Sequence, residues 1–326
     1  MNERKLSNFC MLMLAFSVLV RLFAATGGSA CAQEPAAQPR LWRVEVVRGQ
    51  REGGAEAAAL QEGTSSDKPA PPPLEFSPEE ADAITIAGGC TYDVDKAALL
   101  TRPSALDVSG DGPKVLIVHT HSSEAYTQEA GWEYTPSDPL RTEEPARSVI
   151  RVGDEIAAVL ESRGIEVLHD TALNDYPTYN GAYARMEATI ERYLKAYPSI
   201  QMVLDVHRDA AADAAGEQLA FTTQLDGESC AQIMLVVGTD QGGLSHPGWQ
   251  ENLANALKLQ ALMNRRYPGL CRSLDLRAER FNQHETPGSM LLEFGASGNT
   301  LSQALRTARR FSDALVTFID RVPKNS

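Results

Sequence analysis

The chain is poor in cysteine: five in 326 residues, with Cys10 and Cys31 close to the N-terminus. The other three, Cys90, Cys230 and Cys271, are scattered, and no CxxC pair occurs. Such a set supports neither a disulfide framework nor a cysteine-ligated zinc finger. Positive charge is also scarce. A net charge of -13 argues against a nucleic-acid binder, which needs a basic face to neutralise phosphates. It equally disfavours electrostatic adhesion to anionic lipid, so any link to a membrane must be hydrophobic. Long apolar runs are missing except at one place, Phe9 to Val20, and no internal repeat is visible. Histidine is rare too, with six in the whole chain. Where those few histidines fall therefore carries weight.

The apolar run follows Arg4 and Lys5, is broken by Arg21 and continues as Leu22 to Ala25. Twelve residues suit the core of a secretory leader; with Arg21 snorkelling, residues 9–25 approach the minimum for a spanning helix. "ACA" (Ala30 to Ala32) fits a cleavage site. Residues 1–32 are thus expected to be a signal peptide or a retained anchor, placing the rest outside the cytoplasmic membrane. Residues 33–82 are expected to be a low-order Pro/Ala-rich tether, with one isolated strand-like stretch, Leu41 to Gly49. Residues 83–112 form a transition that ends in the turn signal "SGDGPK".

From Pro113 to the end, short apolar runs alternate with amphipathic segments. Strands are predicted at 115–118, 165–168, 200–206, 232–238, 273–276 and 289–295. Helices are predicted at 149–164, 182–198, 249–269 and 300–320. That rhythm indicates an α/β domain, residues 113–326, with a mainly parallel or mixed central sheet sandwiched by helices.

Three of these strands run into chemistry-bearing residues. The first ends in "HTHSSE" (His119 to Glu124), another in "DVHRD" (Asp205 to Asp209), and the last contains Glu293 near its end. In open α/β sheets, sites gather at the carboxyl ends of strands. Two imidazoles and a carboxylate make the usual catalytic zinc shell, and a further carboxylate serves as general base, the part that falls to Glu293. On an extended chain His119 and His121 would point the same way, so the pattern leaves open which of them is the ligand. Each element alone has a plainer reading, as a hydrogen-bonded histidine or a solvated strand end. Their conjunction at three strand ends favours a metal site. His169 and His246 read as surface positions.

Several long stretches then occur in a fixed order: "PKVLIVHTHSSEAY", "VIRVGDEIAAVLESRGIEVLHD", "DYPTYNGAYAR", "YPSIQMVLDVHRDA", "HPGWQENLANALKLQALMNRRYPGL" and "RFNQHETPGSMLLEFGASGNTLSQALRTA". Together with the upstream "YDVDKAALL", they resemble the stage II sporulation protein P family of endospore-forming bacteria. The resemblance implies a fold like that of cell-wall amidases and zinc carboxypeptidases. It implies a zinc-dependent N-acetylmuramoyl-L-alanine amidase, with endopeptidase action also attributed to the family, working on peptidoglycan during engulfment. It implies membrane anchoring, and partnership with the lytic transglycosylase stage II sporulation protein D and the membrane protein stage II sporulation protein M. Carried onto this sequence, the zinc ligands are His121, Glu124 and His207, with Glu143 or Glu144 as rivals to Glu124. His119 would either orient a ligand or substrate or be a buried, hydrogen-bonded histidine. By position beside His207, Arg208 and Asp209 either contact substrate or pair structurally, and Asn282 and Gln283, in the loop before the last strand, either contact substrate or serve the loop alone.

Overall fold

The computed structural model describes residue 72 and residues 74–321. The expected leader, most of the tether and its strand-like stretch lie outside the described residues. Among the described residues no helix is long and apolar enough to cross a membrane.

The folded unit starts earlier than residue 83. Leu74 and Phe76 lie against the core, and helix α1 (Pro78–Ala83) follows, with Ser77 and Glu80 forming a reciprocal capping box. The segment up to 112 is also built rather than passive: strand β1 (Ile86–Ala87) pairs with a later strand, and helix α2 (Lys96–Thr101) is capped by Asp95. These elements are too short to show periodicity, so a pattern reading passes over them.

The remaining elements follow the predicted alternation. They are strand β2 (Val115–Val118), helix α3 (Val149–Ser162), strand β3 (Val167–His169), helix α4 (Ala182–Ala196) and strand β4 (Met202–Asp209). Then come strands β5 (Thr222–Leu225), β6 (Glu228–Ala231) and β7 (Ile233–Gly238), helix α5 (Trp249–Arg266), strands β8 (Leu274–Arg277) and β9 (Met290–Ala296), and helix α6 (Leu301–Arg321). Helix α3 starts where Ser148 Oγ accepts the amide of Ile150, and the chain turns off it at Gly164, whose φ is +79°. The hairpin β5–β6 was not predicted. Its strands are four residues each; β5 alternates exposed with half-buried positions, and β6 runs from exposed Glu228 to buried Cys230 and Ala231.

Seven strands form one mixed sheet in the order β1-β8-β7-β9-β4-β2-β3. Neighbours from β9 to β3 run parallel, β1, β8 and β7 run parallel to one another, and the direction reverses between β7 and β9. Every side chain of β2 is buried, so "VLIV" is packed on both faces. Helix α6 presents Leu305, Ala308, Phe311, Leu315 and Phe318 to the core from one side. What matters for function is the order β9-β4-β2. Three parallel neighbours bring the ends that carry Glu293, His207 and the His119–Glu124 turn to one edge, with Glu293 and His207 directly in register.

Candidate metal centre

The turn after β2 is built by two buried aspartates. Thr120 donates both its amide (2.8 Å) and its hydroxyl (2.6 Å) to Asp205 of the adjacent strand. Asp175, 5 % exposed, accepts from Ser122 Oγ (2.9 Å), from Ser123 N (2.9 Å) and Oγ (2.8 Å), and from Arg141 Nη1 (2.6 Å). The two serines thus hold the turn's shape, and they leave His121 and Glu124 to face His207.

Ligand atoms of His121, Glu124 and His207 lie within 4.8 Å of one another. Glu124 Oε1 is 3.7 Å from His121 Nδ1, and its Oε2 is 3.4 Å from His207 Nδ1. On the far side of the ring, His207 Nε2 stands 2.8 Å from Asp205 Oδ1, close but too poorly aligned to count as a directed hydrogen bond. This is a carboxylate behind a histidine, the arrangement that orients a ligating imidazole.

The electrostatics call for a cation. Burial disfavours an imidazolium at His207, yet Asp205 and Glu124 outweigh it and raise its pKa well above the usual histidine value. Burial likewise opposes ionisation of Glu124, but His207 and Arg208 prevail and hold it down at about 2. Glu293 is the exception. Burial pushes it up to about 8, His207 opposes that, and Glu124 and Asp209 add to it. Its Oε2 is buried without a partner. A carboxyl whose pKa burial raises towards neutrality, beside His207 and a second carboxylate, is suited to moving a proton.

The other predicted residues fall into different places. The chain leaves β2 at Val118 and turns, so His119 and His121 do not share a direction. His119 is fully buried and its Nδ1 faces the Val206 carbonyl at 2.9 Å. That nitrogen must be the donor, because a carbonyl only accepts, and Nε2 then takes a hydrogen bond from His169 Nε2 at 2.8 Å. Burial, reinforced by His169, lowers the His119 pKa to about 3. His119 therefore braces β4 next to His207. The surface reading of His169 is corrected accordingly: Asp154 stands 3.3 Å from its other nitrogen.

Helix α3 can pass this pair because it carries a glycine there. A Cβ on Gly153 would sit 2.5 Å from His169 Nε2 and 2.7 Å from His119 Nε2. Gly153→Ala should cost about 1–3 kcal/mol in urea unfolding. A cost no larger than that of an exposed helix substitution would show that the pair can move aside.

Arg208 supports the turn rather than reaching outward. Its amide donates to Glu124 Oε2 (3.2 Å) and its guanidinium to the carbonyls of Ala125 (2.9 Å) and Leu140 (3.0 Å). Asp209 pairs with Arg272 at 2.7 Å. Gln283 spends its carboxamide on β7, accepting from Gly238 N and donating to Val236 O, both at 2.9 Å. Asn282 donates to Tyr183 O at 2.8 Å. Asn282 and Gln283 thus anchor their loop, the plainer of the two roles open to them. Glu144, a rival ligand, instead accepts from the Thr135 amide at 2.8 Å.

Sequence reading passed over Asp205, Asp175, Arg141 and two tyrosines. Tyr179 stacks on His121 (4.6 Å between centroids, 20° between planes), the Arg141 guanidinium lies over the Tyr179 ring at 4.9 Å from its centroid, and Tyr179 is 53 % exposed. Tyr183 meets the same imidazole edge-on at 5.4 Å. Asp205 was legible, since residues i and i+2 of a strand share a face and His207 is two positions on. The others arrive from distant segments and carry no local signal.

The model of the family described as stage II sporulation protein P matches residues 45–316. The chain belongs to that family. Every residue of the cluster lies inside the match. A stage II sporulation protein P of Bacillus subtilis (strain 168) is 27% identical over 269 residues, which are 77% of this chain and 61% of the relative. The chain therefore spans about three-fifths of that relative's length. Among solved structures, the N-acetylmuramoyl-L-alanine amidase AmiC2 of Nostoc punctiforme is 13% identical, with a TM-score of 0.37 over 64% of this chain and 97% of its own. The CwlD amidase of Clostridioides difficile, solved with the GerS lipoprotein, is 11% identical, with a TM-score of 0.40 over 63% of this chain and 98% of its own.

Proposed function

We propose that this member of the stage II sporulation protein P family is a zinc-dependent peptidoglycan hydrolase, cutting the amide between muramic acid and the stem peptide. The observation that carries the reading is Glu293 Oε2, buried and unpartnered beside the His121, Glu124 and His207 cluster. The donor set fits zinc: two imidazoles, one carboxylate, and a carboxylate behind His207. When bound, zinc supplies a Lewis acid and lowers the pKa of a water towards about 7.

The chain's own residues do the rest. His121, Glu124 and His207 would hold the ion, and Asp205 supplies a negative charge behind the His207 ring. Glu293 takes the proton from the attacking water and delivers it to the amide nitrogen as the carbon–nitrogen bond breaks. Tyr183 stays protonated through burial and through the Asp205, Glu293 and Glu124 charges, so its phenol is a donor available to the oxyanion that forms. Export, anchoring through residues 9–25, endopeptidase action and partnership with stage II sporulation proteins D and M belong to the same reading.

The test is incubation of the full chain with purified sacculi, with and without chelator, followed by mass analysis. Released stem peptides that disappear with chelator and return with zinc are expected. Loss of a terminal amino acid alone would make the chain a carboxypeptidase. No release despite bound zinc would leave a wall-binding scaffold in its place.

A further inference from the structure

We infer that the chain carries a second transition-metal site, between helix α4 and the turn before β9, held by Glu187, His284 and Glu285 and closed by His246. It shares no residue with the first cluster and does not rest on the proposed activity.

Ligand atoms of Glu187, His284 and Glu285 lie within 4.8 Å of one another. His284 Nε2 is 3.0 Å from Glu285 Oε1 and 3.4 Å from Glu187 Oε1. An ordinary histidine–carboxylate contact would account for those two distances. It does not account for His246, which was read as a surface residue and is 1 % exposed. Both of its ring nitrogens are buried without a partner, as is His284 Nδ1. The two rings stand nearly perpendicular, with 6.4 Å between centroids. A buried imidazole with neither nitrogen satisfied is a rare and costly arrangement, and an ion or ordered water is its usual explanation.

The charges favour an ion. Glu187, Glu285 and the nearby Glu191 face Arg280, which pairs with Glu187 at 2.6 Å. Three carboxylates against one guanidinium leave a surplus of negative charge. Imidazole nitrogens combined with carboxylates make a mixed shell that suits zinc better than the all-oxygen shells of calcium or magnesium.

The site would clamp the 280–285 turn to α4. Asn282 of that turn already holds the carbonyl of Tyr183, one turn before Glu187 on the helix and in contact with His121. A metal there would stiffen the wall of the first cluster without joining it.

Equilibrium dialysis of the full chain against zinc, with metal analysis, should find two equivalents. His284→Ala and, as a gentler change, Glu187→Gln should each find one. His121→Ala/His207→Ala should also retain one, and titration of that double variant with Co2+ should saturate at one equivalent with a visible absorption band. Adding Glu187→Gln to it should weaken Co2+ binding at least tenfold, and His246→Gln should do the same. A wild-type chain that binds a single equivalent, or a double variant that binds no Co2+, overturns the second site. So does a second equivalent that survives Glu187→Gln unchanged. Failure of peptidoglycan cleavage bears on none of these readings.

Discussion

Glu293→Gln is expected to lower the turnover of peptidoglycan cleavage by about 10²–10⁴-fold, the usual worth of a positioned acid–base group, while zinc stoichiometry stays unchanged. The amide side chain keeps the shape of the carboxyl but cannot accept the proton. The same substitution should stabilise the metal-free fold, and the sign follows from linkage. Burial raises the folded-state pKa of Glu293 to about 8, from an ordinary 4.5. Between those values the folded protein binds more protons than the unfolded chain, so this group favours folding less and less as pH rises from 4.5 to 8. The urea midpoint of the metal-free variant at pH 7.5 should therefore exceed that of the wild type, and the difference should shrink towards pH 4.5. Turnover within threefold of wild type would remove Glu293 from the chemistry. A variant less stable than wild type at pH 7.5 would show instead that its carboxylate is compensated.

Asp175→Ala should destabilise the fold by about 3–5 kcal/mol, the range for removing one partner of a buried ion pair. Four donors converge on this carboxylate: Ser122 Oγ, Ser123 N, Ser123 Oγ and Arg141 Nη1. Its loss leaves a guanidinium with no compensating charge except Glu124, 3.7 Å from Arg141 Nη2. Arg141 should then move towards Glu124 and compete with metal. Zinc affinity is accordingly expected to fall at least tenfold, read by competition with a chromophoric chelator. Asp175→Asn keeps an acceptor and should fall between the two. An Asp175→Ala chain with wild-type stability and zinc affinity would mean that the turn is shaped by β2 and β4 alone.

The contrast between Glu293 and Asp175 explains what could be read from one dimension. Glu293, His207 and the "HTHSSE" turn were legible because each stands at the end of an apolar run, and strand ends in an α/β chain converge by topology. Asp175 sits in a loop over 50 residues from the serines it holds, and nothing around it is periodic. The two histidines of the turn show the same limit. Period-two geometry gives His119 and His121 one direction, but Asp205 takes hold of Thr120 between them and the strand ends at Val118. One imidazole then faces His169 and the other faces Glu124.

By itself the sequence determined the alternation of strands and helices, the class of sheet, and which residues had the chemistry of metal ligands. These depend on burial periodicity and side-chain chemistry, which are local. Only the tertiary structure decided which candidates meet. It sent Asn282 and Gln283 to anchor a loop, paired Asp209 with Arg272, buried His246, set His169 against His119, and brought Tyr179 and Tyr183 to His121. Those outcomes depend on strand order and register, in which segments far apart in the chain compete for the same few hydrogen-bond partners.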